Sequence, residues 1–140
     1  ERLAERDEDF YRSLGLGYRA RYVAASSKKL LEEGFSSVEG KTGAELKRAL
    51  TAYPGIGNKV ADCISLFAFR ETAAFPVDTW IEQILTKEYL PKHPIRYRRL
   101  PKSRLYTTII QDFFGSYKGY AGVMQQYIFY YERSIRNGKF

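Results

Sequence analysis

The sequence predicts an all-α fold, a helical bundle with short connections. Strand-like alternation of apolar and polar residues is nearly absent, the few prolines fall between periodic segments, and no repeat or low-complexity tract interrupts them. The first helix runs through the charged start to about Ser13. "GLGYRARY" is a glycine-marked turn into a second helix ending near Gly34, with Tyr22, Ala25, Leu30 and Leu31 as its buried stripe. "TGAELKRALTAY" is a helix capped by Thr42, with Glu45 completing a capping box. A hairpin at Pro54–Gly57 precedes a helix over about Asn58–Phe69, which "ETAAFPVD" breaks. The next helix starts near Val77 and reaches about Tyr89. "PKHPIRYRRLPKSR" (91–104) is a basic, proline-punctuated connection. Helices over roughly 102–115 and 120–136 follow, joined by "GSYKGYAG", and "SIRNGKF" is expected to fray.

The 140 residues suit one domain over 1–140, and 44% hydrophobic content is enough for a core. No apolar run approaches the ~20 residues of a membrane span, so no membrane partner is expected. A formal charge of +7 and a pI near 9.5 favour a polyanionic partner. Cys63 is the only cysteine, which excludes an internal disulfide and a four-cysteine iron–sulfur cluster within these residues. A reducing, intracellular location is the default expectation. The charged start without an initiator methionine is expected of the C-terminal part of a longer protein.

"YPGIGNKVADC" (53–63) carries the chemistry. Helix, Pro-x-x-Gly-type turn and helix make a helix–hairpin–helix unit, in which Gly55 and Gly57 permit positive φ and keep side chains out of the way. Successive backbone N–H groups then face outward at a helix N-terminus, a cradle for phosphate that reads no sequence. On spacing alone an αα-corner without a ligand is equally consistent. Lys59 among apolar neighbours is either snorkelling to solvent or held for a purpose. Asp78 is either a plain N-cap or a carboxylate held in place by capping. Cys63 lies one helical turn after Lys59, and Phe129 one turn after Gln125, so each pair shares a face. Both faces read as core or as the walls of a flat site. Tyr18 and Arg19 are either an ordinary exposed turn or groups able to wedge and hydrogen-bond bases.

"LTAYPGIGNKVADCISLFAF" followed by "FPVDTW" resembles the helix–hairpin–helix glycosylase superfamily. "LGLGYRARYVAAS" and "YKGYAGVMQQYIFY" extend the likeness, within it, to the 8-oxoguanine DNA glycosylase/AP lyases, with matches at Tyr120, Ala121, Gly122, Gln125 and Phe129. The resemblance implies base-excision repair: release of 8-oxoguanine, preferentially opposite cytosine, and strand nicking by β-elimination. The partner it implies is double-stranded DNA containing oxidised guanine, bound by a monomer.

By the same resemblance Lys59 attacks the anomeric carbon and forms a Schiff base, and Asp78 stabilises the oxocarbenium-like sugar. An amine attacks only as the free base; partial burial beside Val60 and Cys63 and the positive end of its own helix are expected to favour that form. Phe129 and Cys63 sandwich the extruded purine while Gln125 hydrogen-bonds its Watson–Crick edge. Tyr18 buckles the duplex, Arg19 contacts the cytosine left unpaired, and Gly55, Ile56 and Gly57 grip the backbone. No cofactor is implied and no side chain is expected to ligate a metal, although hairpin carbonyls suit a structural monovalent or calcium ion.

Trp80 departs from the pattern, standing where eukaryotic members carry a DNA-contacting histidine. His93 is expected at the surface without a catalytic role, amid arginines that form a solvated face or add phosphate contacts. The fuller members' upstream half, an antiparallel sheet domain with further helices, is not visible in this sequence. Another glycosylase of the same superfamily is a second reading, against which Lys59 and the lone cysteine argue. A non-catalytic DNA-binding module is a third, and it needs none of Lys59, Asp78 or the Gln125/Phe129 pair.

Overall fold

The computed structural model describes residues 1–136, and among these every regular element is helical. The chain divides into two compact units, Glu1–Ala61 and Asp62 onward, with the division falling inside one helix.

In the first unit α1 spans Glu8–Ser13. Asp7 is extended and its carboxylate accepts the Phe10 N–H, which starts the helix there and not through the whole charged beginning as expected. The residues before it fold back, and the buried Tyr11 hydroxyl donates to the Leu3 carbonyl at 2.6 Å. A 3₁₀ turn at Gly17–Arg19 leads into α2, Ala20–Glu33, which Gly34 ends at φ +75°. The predicted stripe on α2 is corrected. Ala20 and Ala24 are the buried residues, packed with Tyr11, whereas Ala25 is exposed and Leu31 is 51% exposed. Small side chains win because α1 approaches closely on that face. Tyr22 is half-buried, on the side of the hairpin described below, and Leu30 and Leu31 line an open cleft with Leu3, Ala4 and Phe35.

α3 spans Gly43–Thr51 and buries Leu46 and Leu50. Thr42 is its N-cap by backbone geometry, but the side chain makes no capping bond, so the capping box does not form. Glu45 turns instead toward Lys41, at 3.9 Å. α4 then spans Asn58–Phe67, two residues shorter than expected.

In the second unit α5, Thr79–Ile84, is capped by Asp78 and runs on as one wider π-helical turn, Leu85–Tyr89, matching the expected end. The stretch expected as a mere connection contains α6, Pro94–Arg98. Pro94 takes the first helical position, where its missing N–H costs nothing. Tyr97 is buried, and its hydroxyl donates to Asp112 Oδ2 at 2.8 Å, an anchor the proline-rich wording conceals. α7 spans Lys102–Phe114 and α8 Ala121–Arg136. The core joins Phe75, Ile81, Ile84, Leu85, Tyr97, Ile109 and Phe114, each apolar side chain contributing about 1.5–3 kcal/mol by burial. Of the segment expected to fray, Ser134–Arg136 are helical and 137–140 lie outside the described residues.

Candidate active site

The hairpin is held from beneath by one face of α2. Ser26 Oγ donates to the Pro54 carbonyl at 2.7 Å, and Lys29 Nζ to the Ala52 carbonyl at 3.0 Å. Gly55 sits at φ +78°, and a Cβ there would lie 2.5 Å from Tyr22 Cβ and Cγ, so both conformation and space demand glycine. Gly57 is different. It is not in the left-handed region, as had been expected for both glycines, and a Cβ on it would meet nothing within 4 Å. Its carbonyl accepts the Ala61 N–H at 2.9 Å, making it the residue from which α4 starts. Ile56 closes the turn, its N–H donating to the Tyr53 carbonyl at 3.1 Å. The N–H groups of the first turn of α4 have no intrahelical carbonyl to bond.

Lys59 stands in that first turn and is exposed, with Val60 39% exposed beside it. The partial burial expected of the lysine is therefore corrected: α4 turns its Lys59 side outward and buries Ala61. In the same unit Tyr18 is 62% exposed on the 3₁₀ turn, and the Arg19 guanidinium lies 4.7 Å from the centre of its ring. This pair is a preformed, solvent-facing cation–π stack.

Asp78, Cys63, Gln125 and Phe129 belong to the second unit. Asp78 is half-buried, with Oδ1 accepting the Ile81 N–H at 2.9 Å, so the capping role is present. Cys63 is a half-buried free thiol. Gln125 is 3% exposed, and Gln126 Nε2 donates to its Oε1. Phe129 is half-buried against the core and meets the Trp80 ring edge-on at 6.5 Å between centroids. Thus Gln125 and Phe129 share α8, and Phe129 is tied to the residue two positions after Asp78.

Sequence reasoning missed what holds α8. The Gly122 N–H donates to the Thr72 carbonyl at 2.8 Å, and Thr72 Oγ1 donates to the Gly119 carbonyl at 2.7 Å. A Cβ on Gly122 would collide with the Ala74 carbonyl oxygen and come within 2.9 Å of that of Thr72. The signal was present in "GYAG", but its partner loop has no recognisable spelling. Nothing in the sequence marks Tyr22 as the wall behind Gly55, or Gln126 as the partner of Gln125.

No family model matches the chain. Over 75 residues it is 45% identical to a probable N-glycosylase/DNA lyase of Methanothermobacter thermautotrophicus, covering 53% of this chain and 24% of that protein. It is 34% identical over 135 residues to an N-glycosylase/DNA lyase of Arabidopsis thaliana, covering 92% of this chain and 36% of that protein. The apo-form of the 8-oxoguanine glycosylase/lyase of Clostridium acetobutylicum matches with a TM-score of 0.73 and 30% identity, over 92% of this chain and 42% of that one. A complex of that enzyme with duplex DNA containing cytosine opposite 8-oxoguanine gives 0.75 and 26%, over 96% and 43%. The chain is related to the 8-oxoguanine glycosylase/lyases. It spans between about a quarter and somewhat under half the length of these relatives.

Two other features bear on the candidate site. A cleft of about 550 Å³ beside α5 is lined by Glu82, Glu88 and Glu132 with Thr79 and Tyr106, and three carboxylates make it a poor seat for phosphate. His93 is exposed and stacks on Phe113 at 5.8 Å, which accords with the surface role expected of it. Among the described residues no group of three His, Cys, Asp or Glu side chains is placed to hold a metal ion, and no helix is long and apolar enough to cross a membrane.

Proposed function

We propose that this chain carries the catalytic part of a monomeric DNA N-glycosylase/lyase that removes 8-oxoguanine, preferentially opposite cytosine. Its kinship with the glycosylase/lyases supports this, and the observation that carries it furthest is the joint presence of an exposed lysine at a glycine-cradled helix start and a capped, half-buried aspartate. A module that merely gripped phosphate needs neither.

In the proposed mechanism the duplex backbone lies against the hairpin, where first-turn N–H groups of α4 and the open space at Gly57 admit a phosphate. The damaged nucleotide is extruded between Phe129 and Cys63, with Gln125 on its Watson–Crick edge. Tyr18 and Arg19 occupy the gap and contact the unpaired cytosine. Lys59 Nζ, as the free amine, attacks C1′; the N-glycosidic bond breaks and the base leaves with the electron pair. The Asp78 carboxylate offsets the positive charge that develops on the sugar, and its cap to Ile81 keeps it oriented. Loss of a proton from the attached nitrogen and cleavage of the C1′–O4′ bond, with O4′ taking up a proton as the 4′-hydroxyl, open the ring to the Schiff base, and abstraction of a C2′ proton then expels the 3′-phosphate.

Borohydride trapping tests the reading. Duplexes bearing 8-oxoguanine opposite cytosine, or an abasic site, are each incubated with the chain and reduced, and a covalent adduct is sought by mass. An adduct on the lesion duplex that disappears in Lys59→Gln, with DNA binding retained, is the expected result. Undiminished strand nicking by Lys59→Gln would remove Lys59 from the mechanism. An adduct on the abasic duplex alone would leave the lyase step here and place lesion reading in sequence outside this chain.

A further inference from the structure

We infer that the corner between α6 and α7 is a second surface for gripping duplex DNA, on which Arg98, Arg99, Lys102 and Arg104 bind backbone phosphates. The inference rests on the reading of DNA as this chain's partner and adds a contact that the hairpin and the pocket residues do not supply.

No aspartate or glutamate occurs between Glu88 and Asp112, a stretch that holds Lys92, Arg96, Arg98, Arg99, Lys102 and Arg104. The carboxylate that ends the run is already committed. Asp112 Oδ1 accepts from Arg96 at 3.2 Å, and Oδ2 accepts from the Tyr97 hydroxyl at 2.8 Å. Lys92 lies over the Tyr89 and Phe113 rings. Arg98, Arg99, Lys102 and Arg104 are exposed, and among the described residues none of them has an ion-pair partner. Other cations of the chain are treated differently: Arg12, Lys29, Lys41 and Lys87 each meet a glutamate within one helical turn.

Two features separate this run from an ordinary solvated face. The first is its anchoring. Tyr97 is buried and bonded to Asp112, and Leu100 and Leu105 pack against the core, so the backbone carrying the four cations is held in place. Little backbone order is then left to lose on binding. The second is electrostatic. Lys102 and Arg104 stand in the first turn of α7, which has no acidic residue there and no side-chain cap. Two cations thus face the positive end of a helix dipole, whereas α1 begins with Asp7, Glu8 and Asp9. Like charges gathered without a counter-charge oppose folding, and a nucleic-acid backbone brings a row of anions that relieves several at once. The arginine fork suits phosphate oxygens in particular. Ile95 is the one large apolar side chain that the corner exposes, too little to sink into lipid.

The test is the salt dependence of binding to an undamaged duplex, read by fluorescence anisotropy between about 50 and 200 mM salt. Two variants of equal net charge are compared. One carries Arg98→Gln, Arg99→Gln, Lys102→Gln and Arg104→Gln. The other carries Arg2→Gln, Arg12→Gln, Arg48→Gln and Lys87→Gln, all outside the corner and the proposed site. Each phosphate contact contributes about 0.9 to the slope of log affinity against log salt. The corner variant should therefore lose about 2–4 from that slope and bind at least about tenfold more weakly, with its thermal midpoint unchanged or raised. Arg98→Gln and Lys102→Gln singly should each lower the slope by about 0.9. The control variant should keep its slope and stay within about threefold of the unaltered affinity. An equal loss in both fourfold variants would reduce the effect to bulk charge and overturn the proposal. An unchanged corner variant, with Gly57→Ala weakening binding, would overturn it while leaving the hairpin reading in place. Normal duplex binding with loss of binding to phosphatidylglycerol vesicles would assign the corner to a lipid surface instead. If the unaltered chain binds no duplex, lesion-bearing ones included, the DNA reading falls and this inference with it.

Discussion

Under the proposed function, the Asp78 carboxylate would serve structure and chemistry at once. Its oxygen caps α5 through the Ile81 N–H, and that bond holds it in a single orientation. The two roles separate by substitution. Asp78→Asn retains a capping oxygen and should leave stability within about 0.5 kcal/mol, since asparagine is as good an N-cap. Asp78→Ala should cost about 1 kcal/mol of stability. Both should slow adduct formation on the lesion duplex by roughly a hundredfold or more, because both remove the negative charge. Thermal melts alongside single-turnover trapping check this, and a normal rate in Asp78→Asn would reduce the residue to a cap.

At the scale of the element, the two hairpin glycines part company. Gly55 is glycine for the fold's sake, being in the left-handed region with Tyr22 against it. Gly55→Ala should destabilise the chain by about 1–3 kcal/mol, measured by urea unfolding. Gly57 has no internal reason to lack a side chain. Gly57→Ala should leave stability nearly unchanged and weaken binding to undamaged duplex by about tenfold, as for one hindered phosphate contact. The hairpin's position was legible because proline and glycine punctuate it openly. The individual reasons for its glycines were not, since Gly55 answers to Tyr22, 33 positions earlier in the sequence. The α2 stripe was misread for a related reason: helical spacing marks several faces, and only the close approach of α1 selects Ala20 and Ala24.

Across the whole molecule, the helical class and the order of long helices followed from the near absence of strand-like alternation, while α6 escaped because its anchor lies in the contact of Tyr97 with Asp112. That contact has a measurable signature. Burial, and then the neighbouring Asp112 carboxylate, push the Tyr97 hydroxyl up to about 12. The folded value exceeds the ordinary tyrosine value of about 10, so the neutral form is favoured by folding. Its contribution to stability is complete below pH about 10 and is lost as pH rises toward about 12. Urea midpoints should therefore decline over that window, and Tyr97→Phe should flatten the decline without abolishing it, since burial also raises Tyr89. An equally steep decline in Tyr97→Phe would assign the alkaline loss elsewhere.

The seam between Gly122 and the carbonyls of Thr72 and Ala74 has a consequence for how such a site tolerates change. It staples the strand of chain approaching Asp78 to the first turn of the helix bearing Gln125, with Thr72 and Gly119 adding a second stitch. An insertion or deletion between Thr72 and Ala74 would disturb these contacts with the start of that helix. Under the proposed function, a change in lesion preference would then be accommodated more readily by the side chains that line α8 than by the length of this loop.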